Sequence, residues 1–304
     1  MTSSDPVVAD PERADQESAV RGTDHVLRAM TDDGAFRVVV ARTTDTSQEA
    51  LTTQKAFTST GMVLSELITG AALLRETMAP THRVQALLRA ANNRGRLVAD
   101  AHPDGGNRGL VSRAAGVPEV DPADGSLEVL RTLYNGELHR GVVHVPKEGS
   151  ISQALMAYMA SSEQVATMVA VACVIKDGRV SAAGGYMVQL LPEVGRGPLA
   201  IMTERLRDFE RIDGADGVLA KLAAEPAPLL EELLYGMPYT RLGDSPLSYQ
   251  CRCSAVRVMS ALASLSKGDL TDLLREPVIE MSCDYCGKSY AVTPEHLKGM
   301  LEQS

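Results

Sequence analysis

The spacing of apolar residues changes several times along the chain, and each change predicts an element. Ala35 to Thr44 (AFRVVVARTT) is dense in β-branched residues and predicts a strand. Ser59 to Met78 (STGMVLSELITGAALLRETM) places apolar residues at helical spacing and predicts a long buried helix, with Gly61 and Gly70 permitting close packing. RVQALLRAA and GRLVADAH predict paired strands joined through Asn92-Asn93-Arg94-Gly95. GELHRGVVHVP predicts another strand, ended by Pro146. Ser150 to Ile175 begins helical and ends as a β-rich apolar run; Lys176 to Gly178 (KDG) turns the chain, and Val180 to Pro192 returns as a strand. Strands and helices mix here without regular βαβ alternation, which predicts α+β rather than a doubly wound sheet.

The pattern shifts at Gly195. GRGP reads as a breaker, and LAIMTERLRDFERI, GVLAKLAAE and APLLEELLYG are short amphipathic helices separated by Gly and Pro. Such helices are too short to persist alone in water and need a surface to dock on. The expected organisation is a disordered, polar tail (1–22), an N-terminal mixed α/β-sheet domain (23–192), a helical linker (193–247) and a small C-terminal domain (248–304).

Composition narrows the function. With 30 Lys and Arg against 39 Asp and Glu the net charge is −9, a poor basis for gripping nucleic-acid phosphates. No apolar run reaches the ~18 residues of a membrane span. The start of the chain lacks the apolar core of a signal peptide. The expectation is a cytoplasmic protein with neither nucleic acid nor membrane as partner. In that compartment five cysteines argue for metal or redox chemistry over a disulfide framework. No P-loop, dinucleotide fingerprint or nucleophile–base motif is present, so no enzymatic activity is expected.

Four of the five cysteines crowd the last stretch of the chain. Cys251 and Cys253 form C-x-C, Cys283 and Cys286 form C-x-x-C, and 29 residues lie between the pairs. Two close pairs can supply a closed tetrahedral S₄ site, for which zinc is the preferred structural ion. A rubredoxin-like iron site normally uses two C-x-x-C pairs, and four unligated buried cysteines are the remaining alternative. Gly287 suits the tight turn of a metal knuckle, where backbone N–H groups point at thiolate sulfur. The segment between the pairs predicts a helix (SAVRVMSALASLS), a shorter helix (GDLTDLLRE) and a strand (VIEMS). A disulfide inside C-x-C closes a small, strained ring that is readily reduced. Metal-bound thiolates are already nucleophilic toward oxidants, and a domain this small depends on its metal. The spacing thus permits an oxidation switch; a purely structural site in a protein-binding or regulatory module is the alternative.

PLSYQCRCSAVRVMSALASL and IEMSCDYCGKSYAVTPEHL, with SEQVATMVAVACVIKDGRVSAAGGYMVQLLP upstream, resemble the Hsp33 family of redox-regulated chaperones. The resemblance is densest over 245–304, extends through 150–192 and runs collinearly from 24 to 145. It implies one zinc ion per chain, held in the reduced form by Cys251, Cys253, Cys283 and Cys286. It implies that oxidation forms the disulfides Cys251–Cys253 and Cys283–Cys286 with release of zinc, and that the zinc domain and linker then unfold. Unfolding client proteins are then bound without ATP, often by a dimeric form. The chain departs from the family at MAYMASSEQ, AANNRGRL and STGMVLSEL, away from the cysteines.

Other chemistry-bearing residues read more plainly. Cys173, inside VAVACVI, is a core residue. His25, His82, His102, His139 and His144 form no ligand pair, and His296 is the one candidate fifth ligand. Asp284 and Lys288 read as solvated neighbours of the second cysteine pair. Glu204, Arg205, Arg207, Asp208, Glu210 and Arg211 read as the wet face of a linker helix. Met156 to Met168 reads as core packing, with an adaptable client surface as the second reading.

Overall fold

The computed structural model describes residues 24–133, 135–192, 195–211, 226–273 and 278–293. The N-terminal tail, GVLAKLAAE and His296 lie outside these residues. The fold is α+β, as the sequence predicts.

Two sheets enclose one helix. The first has the order β10-β1-β2-β9-β8, built from β1 (His25–Thr31), β2 (Phe36–Arg42), β8 (Thr167–Lys176), β9 (Arg179–Leu190) and β10 (Tyr239–Pro246). The second has the order β11-β5-β4-β3-β6-β7. Its strands are β3 (Arg83–Arg89), β4 (Gly95–Ala101), β5 (Gly106–Arg113), β6 (Ser126–Thr132), β7 (Leu138–His144) and the two-residue β11 (Ser248–Tyr249). Between the sheets runs α2 (Ser59–Glu76), preceded by α1 (Thr44–Gln54). Leu64, Leu67, Ile68, Leu73 and Leu74 of α2 are buried with Val39 of one sheet and Val84, Leu88 and Leu97 of the other. Both predicted close-packing glycines are crowded. A Cβ at Gly61 would collide with the Ala56 carbonyl, and one at Gly70 with Leu155 of α3 (Ile151–Tyr158).

Both central helices are capped from far away in sequence. Thr58 precedes α2 but makes no side-chain cap bond. Instead Glu119 accepts from Thr58 Oγ1 at 2.8 Å, Ser59 Oγ at 3.1 Å, the Thr60 N–H at 3.0 Å and the Thr60 hydroxyl. Asp24 does the same for α1, accepting from the Thr46 N–H at 2.7 Å while paired with Arg42. Burial raises the Glu119 pKa, but these four donors outweigh it and bring it down to about 2. A depressed carboxylate stabilises the fold above its unfolded pKa of about 4.3 and stops doing so as pH falls toward 2. Glu119→Gln should therefore lower stability by about 1 kcal/mol at neutral pH. In urea titrations the gap to wild type should close between pH 4 and pH 2; a gap that persists at the acid end would contradict the cap.

The first sheet is buried on both faces. Val39 and Ala41 face α2, whereas Leu27, Phe36, Val38, Val40, Tyr186 and Val188 face away from it. That second face is covered by α4 (Arg196–Arg211) and α5 (Pro226–Leu233) through Met202, Leu206, Leu229, Leu230, Leu233 and Leu234. Arg205 ties the two helices together, donating to the Leu233 carbonyl at 2.6 Å and the Tyr235 carbonyl at 2.5 Å. Glu204 is exposed, whereas the side chains of 207–211 lie outside those described. A cavity of about 590 Å³ remains under α4, lined in part by Met156, Met168, Leu190, Met202 and Leu206.

GRGP does not break the chain but opens α4, with Pro198 in the first turn, where its missing N–H is no loss. The end of the segment read as a helical linker is a strand: Tyr239–Pro246 pairs antiparallel with β1 at the sheet edge. Exposed over most of its length, β10 carries no apolar alternation by which the sequence could show it.

Candidate metal centre

The two cysteine pairs approach each other from different supports. The first is carried by the second sheet. Ser248 and Tyr249 pair in parallel with Gly106 and Asn107, and the Gln250 N–H donates to the Asn107 carbonyl at 2.7 Å, which delivers Cys251 just beyond the sheet edge. Ser254 then caps α6 (Ala255–Ala263), accepting from the Arg257 N–H at 3.3 Å. After α7 (Lys267–Leu273), the second pair sits in the turn of the hairpin β12 (Ile279–Ser282) and β13 (Ser289–Val292). That turn is a knuckle. The Gly287 N–H donates to the Cys283 carbonyl at 2.7 Å, the Cys283 N–H to the Lys288 carbonyl at 2.9 Å, and Gly287 has φ +68°. The positive φ accounts for the glycine expected there.

These supports bring together all four sequence-predicted sulfurs. They lie within 4.8 Å of one another, with Cys251 and Cys283 at 3.6 Å and Cys253 and Cys286 at 3.3 Å. A metal–sulfur bond of about 2.3 Å sets the edge of an S₄ tetrahedron at about 3.8 Å, so the four positions fit one tetrahedral ion. Among the described residues, no histidine or carboxylate joins the cluster. Cys173 lies elsewhere, packed with Leu51, Ala56, Val180 and Ala183, and burial pushes its thiol up to about 11. It is core, as read from the sequence.

The sulfurs are not equivalent. Burial raises Cys251, and burial with neighbouring thiols pushes Cys286 up to about 12. Cys253 is also partly buried, yet the Tyr290 hydroxyl, donating at 3.0 Å, and the surrounding thiols bring it down to about 7.

The described residues of the module around the centre form only a small core. Among the described residues, Leu262 and Val292 are its fully buried apolar side chains, with Val258, Met259, Leu273, Ile279 and Met281 partly buried against them. Contacts to the larger body run through the metal loop. Gln54 of α1 donates to the Asp284 and Tyr285 carbonyls, both at 2.9 Å, and Tyr249 donates to the Tyr285 carbonyl at 2.9 Å. The Arg108 guanidinium lies 3.8 Å from the centre of the Tyr285 ring. Arg252 pairs with Asp104. Nearby His102 is pushed down to about 4 by burial and by the cations Arg252 and Arg83. Sequence reasoning missed Gln54, Arg108, Tyr249 and Tyr285, because no local spacing joins residues so far apart.

Fold and site define a protein in which a small four-cysteine module, able to hold a metal ion, docks on a helix-covered α+β body. The family model described as Hsp33 protein matches residues 24–293, and the chain belongs to the Hsp33 family, a family of chaperones and not an enzyme class. Curated relatives named 33 kDa chaperonin include that of Syntrophotalea carbinolica, 29% identical over 290 residues, covering 91% of this chain and 99% of the relative. That of Bacillus subtilis is 28% identical over 294 residues, covering 92% and 99%. The crystal structure of the 33 kDa chaperonin from Thermotoga maritima shares the fold, with TM-score 0.77, 22% identity and coverage of 93% of this chain and 99% of that one.

Proposed function

We propose that the chain is an ATP-independent, cytoplasmic holdase that oxidation of its four-thiol centre switches on, and that the ion held there in the reduced state is zinc. The observation that carries the reading is the clustering of the Cys251, Cys253, Cys283 and Cys286 sulfurs within 4.8 Å of one another, in a module whose described residues form only a small core. Oxidation to Cys251–Cys253 and Cys283–Cys286 gives up two electrons per disulfide, accepted by peroxide or hypochlorite, and leaves no thiolate to hold the ion. This pairing places no covalent tie between knuckle and sheet, so the module is free to leave. The apolar face under α4 and α5 is the surface that opens to unfolding clients, and through which the oxidised form dimerises. No helix among the described residues is long and apolar enough to cross a membrane.

The test treats the reduced protein with peroxide at mildly raised temperature. Zinc release, read with a chromogenic chelator, should accompany loss of helical circular dichroism and the onset of protection against client aggregation in light scattering. Equal protection by reduced and oxidised protein would remove the switch. Zinc and helix retained through oxidation would favour the structural-metal alternative.

A further inference from the structure

The outer edge of β5 is only partly paired. β11 covers Gly106 and Asn107, and the chain then leaves the edge toward Cys251. Further along the same edge the Val111 N–H finds its acceptor in a side chain, the Gln54 Oε1 at 2.9 Å. Gln54 is the last residue of α1, followed by Lys55 in left-handed backbone with φ +50°. Its Nε2 donates to the Asp284 and Tyr285 carbonyls, both at 2.9 Å. A side-chain amide has two N–H groups, one for each carbonyl. One amide thus bridges the sheet edge and the C-x-x-C loop. Its orientation is fixed, because turning it over would set its oxygen against two carbonyl oxygens and its nitrogen against an N–H. Nor can it grip an unfolded loop. Successive carbonyls of extended chain point to opposite sides. One nitrogen reaches both only while 283–288 is turned as a knuckle, held by the Gly287–Cys283 and Cys283–Lys288 bonds.

We propose that Gln54 is the latch by which the N-terminal body holds the module and senses whether the C-x-x-C loop is folded. Tyr249, donating to the same Tyr285 carbonyl at 2.9 Å, is its second arm. Both address main-chain atoms, so the latch reads the shape of the loop and not its side chains. Loss of the knuckle removes both carbonyl acceptors at once. Residues 248–250 connect the cysteine cluster to β10, the strand that follows α5, so release of the module is felt next to the linker helices. The docking role stands on hydrogen bonds alone; its output rests on the switch proposed above.

The test compares substitutions in the full-length, reduced, zinc-loaded chain by amide hydrogen exchange. Gln54→Glu keeps an oxygen for the Val111 N–H but has no N–H for the loop, and sets a carboxylate against two carbonyls. Gln54→Met loses both sides. With an ion tying the two cysteine pairs together, the loop can leave only by lifting β11, which exposes the Gln250 N–H that donates to Asn107. Loss of two net hydrogen bonds should speed Gln250 exchange about ten- to a hundredfold in both variants. Val111 exchange should be faster in Q54M and stay as in wild type in Q54E. A role confined to the sheet would instead leave Q54E like wild type at both amides. Under limiting peroxide, Q54E should release zinc and begin to protect clients sooner than wild type. Tyr249→Phe, which leaves α1 untouched, should also speed Gln250 exchange and serves if neither variant at position 54 folds. Wild-type exchange at Gln250 in Q54E and Y249F would overturn the latch. Fast exchange at Gln250 with unchanged timing of activation would overturn its part in sensing. If wild type itself gains no activity on oxidation, the switch reading falls, and the exchange result alone decides the docking role.

Discussion

Cys283→Ser should yield a chain that binds no stoichiometric zinc, lacks the helical signal of α6 and α7, and protects clients from aggregation without any oxidant. The magnitudes decide this. Full burial of Leu262 and Val292 is worth about 1.5–3 kcal/mol each. Every residue ordered in the module costs about 1–2 kcal/mol of backbone entropy. Structural zinc in small peptides contributes about 10–16 kcal/mol at neutral pH, so on the zinc reading the ion would be the dominant favourable contribution. Cys283 is also the residue that closes the knuckle, through its carbonyl and its N–H. Serine keeps those backbone bonds but replaces the thiolate with a hydroxyl that is a poor ligand at neutral pH. Zinc content, circular dichroism and light scattering on the reduced variant check the prediction. A variant with one zinc per chain and wild-type helix would show that three sulfurs suffice and that the module is more robust than its core implies.

The cysteine motifs were legible in the sequence because spacing alone reports which thiols can meet at one ion. The long helix of 59–76 and the strand of 36–42 were legible for a similar local reason, since buried elements write their period into apolar residues. Thr44–Gln54 left no such trace: it buries Thr44, Thr46, Ser47, Ala50 and Leu51, a largely polar set that periodicity does not detect. Its cap is Asp24, and that of the next helix is Glu119, both outside the local capping pattern. The docking of the metal loop was invisible for the same reason. Gln54 and Tyr285 meet only because the second sheet carries β11, and with it the first cysteine pair, alongside α1. Local chemistry was readable; the coupling between its parts required the fold.

Leu229→Asp should uncouple the output from the centre, giving a reduced, zinc-loaded protein that already binds clients. Helix α5 is eight residues long. Ordering it costs on the order of 8–16 kcal/mol. Burying Leu229, Leu230, Leu233 and Leu234 against Phe36, Val38 and Val40 returns about 6–12 kcal/mol. The balance is near zero, so the helix persists only while its neighbours hold it, and Arg205 from α4 is one of them. A carboxylate at position 229 removes one leucine's share and adds several kcal/mol of desolvation if it stays buried. The helix should therefore leave the sheet, whereas the core between the two sheets, built on α2, stays intact. Hydrogen exchange should show fast amides in α5 and protected ones in α2, with zinc content unchanged. Val256→Asp, at a residue 74% exposed on the module, serves as a control with no expected effect. If L229D frees α5 yet suppresses aggregation no better than reduced wild type, the face under the linker helices is not where clients bind. If it protects as well as the oxidised protein while still holding its metal, exposure of that face is sufficient for activity, and the four thiols act only as the lock.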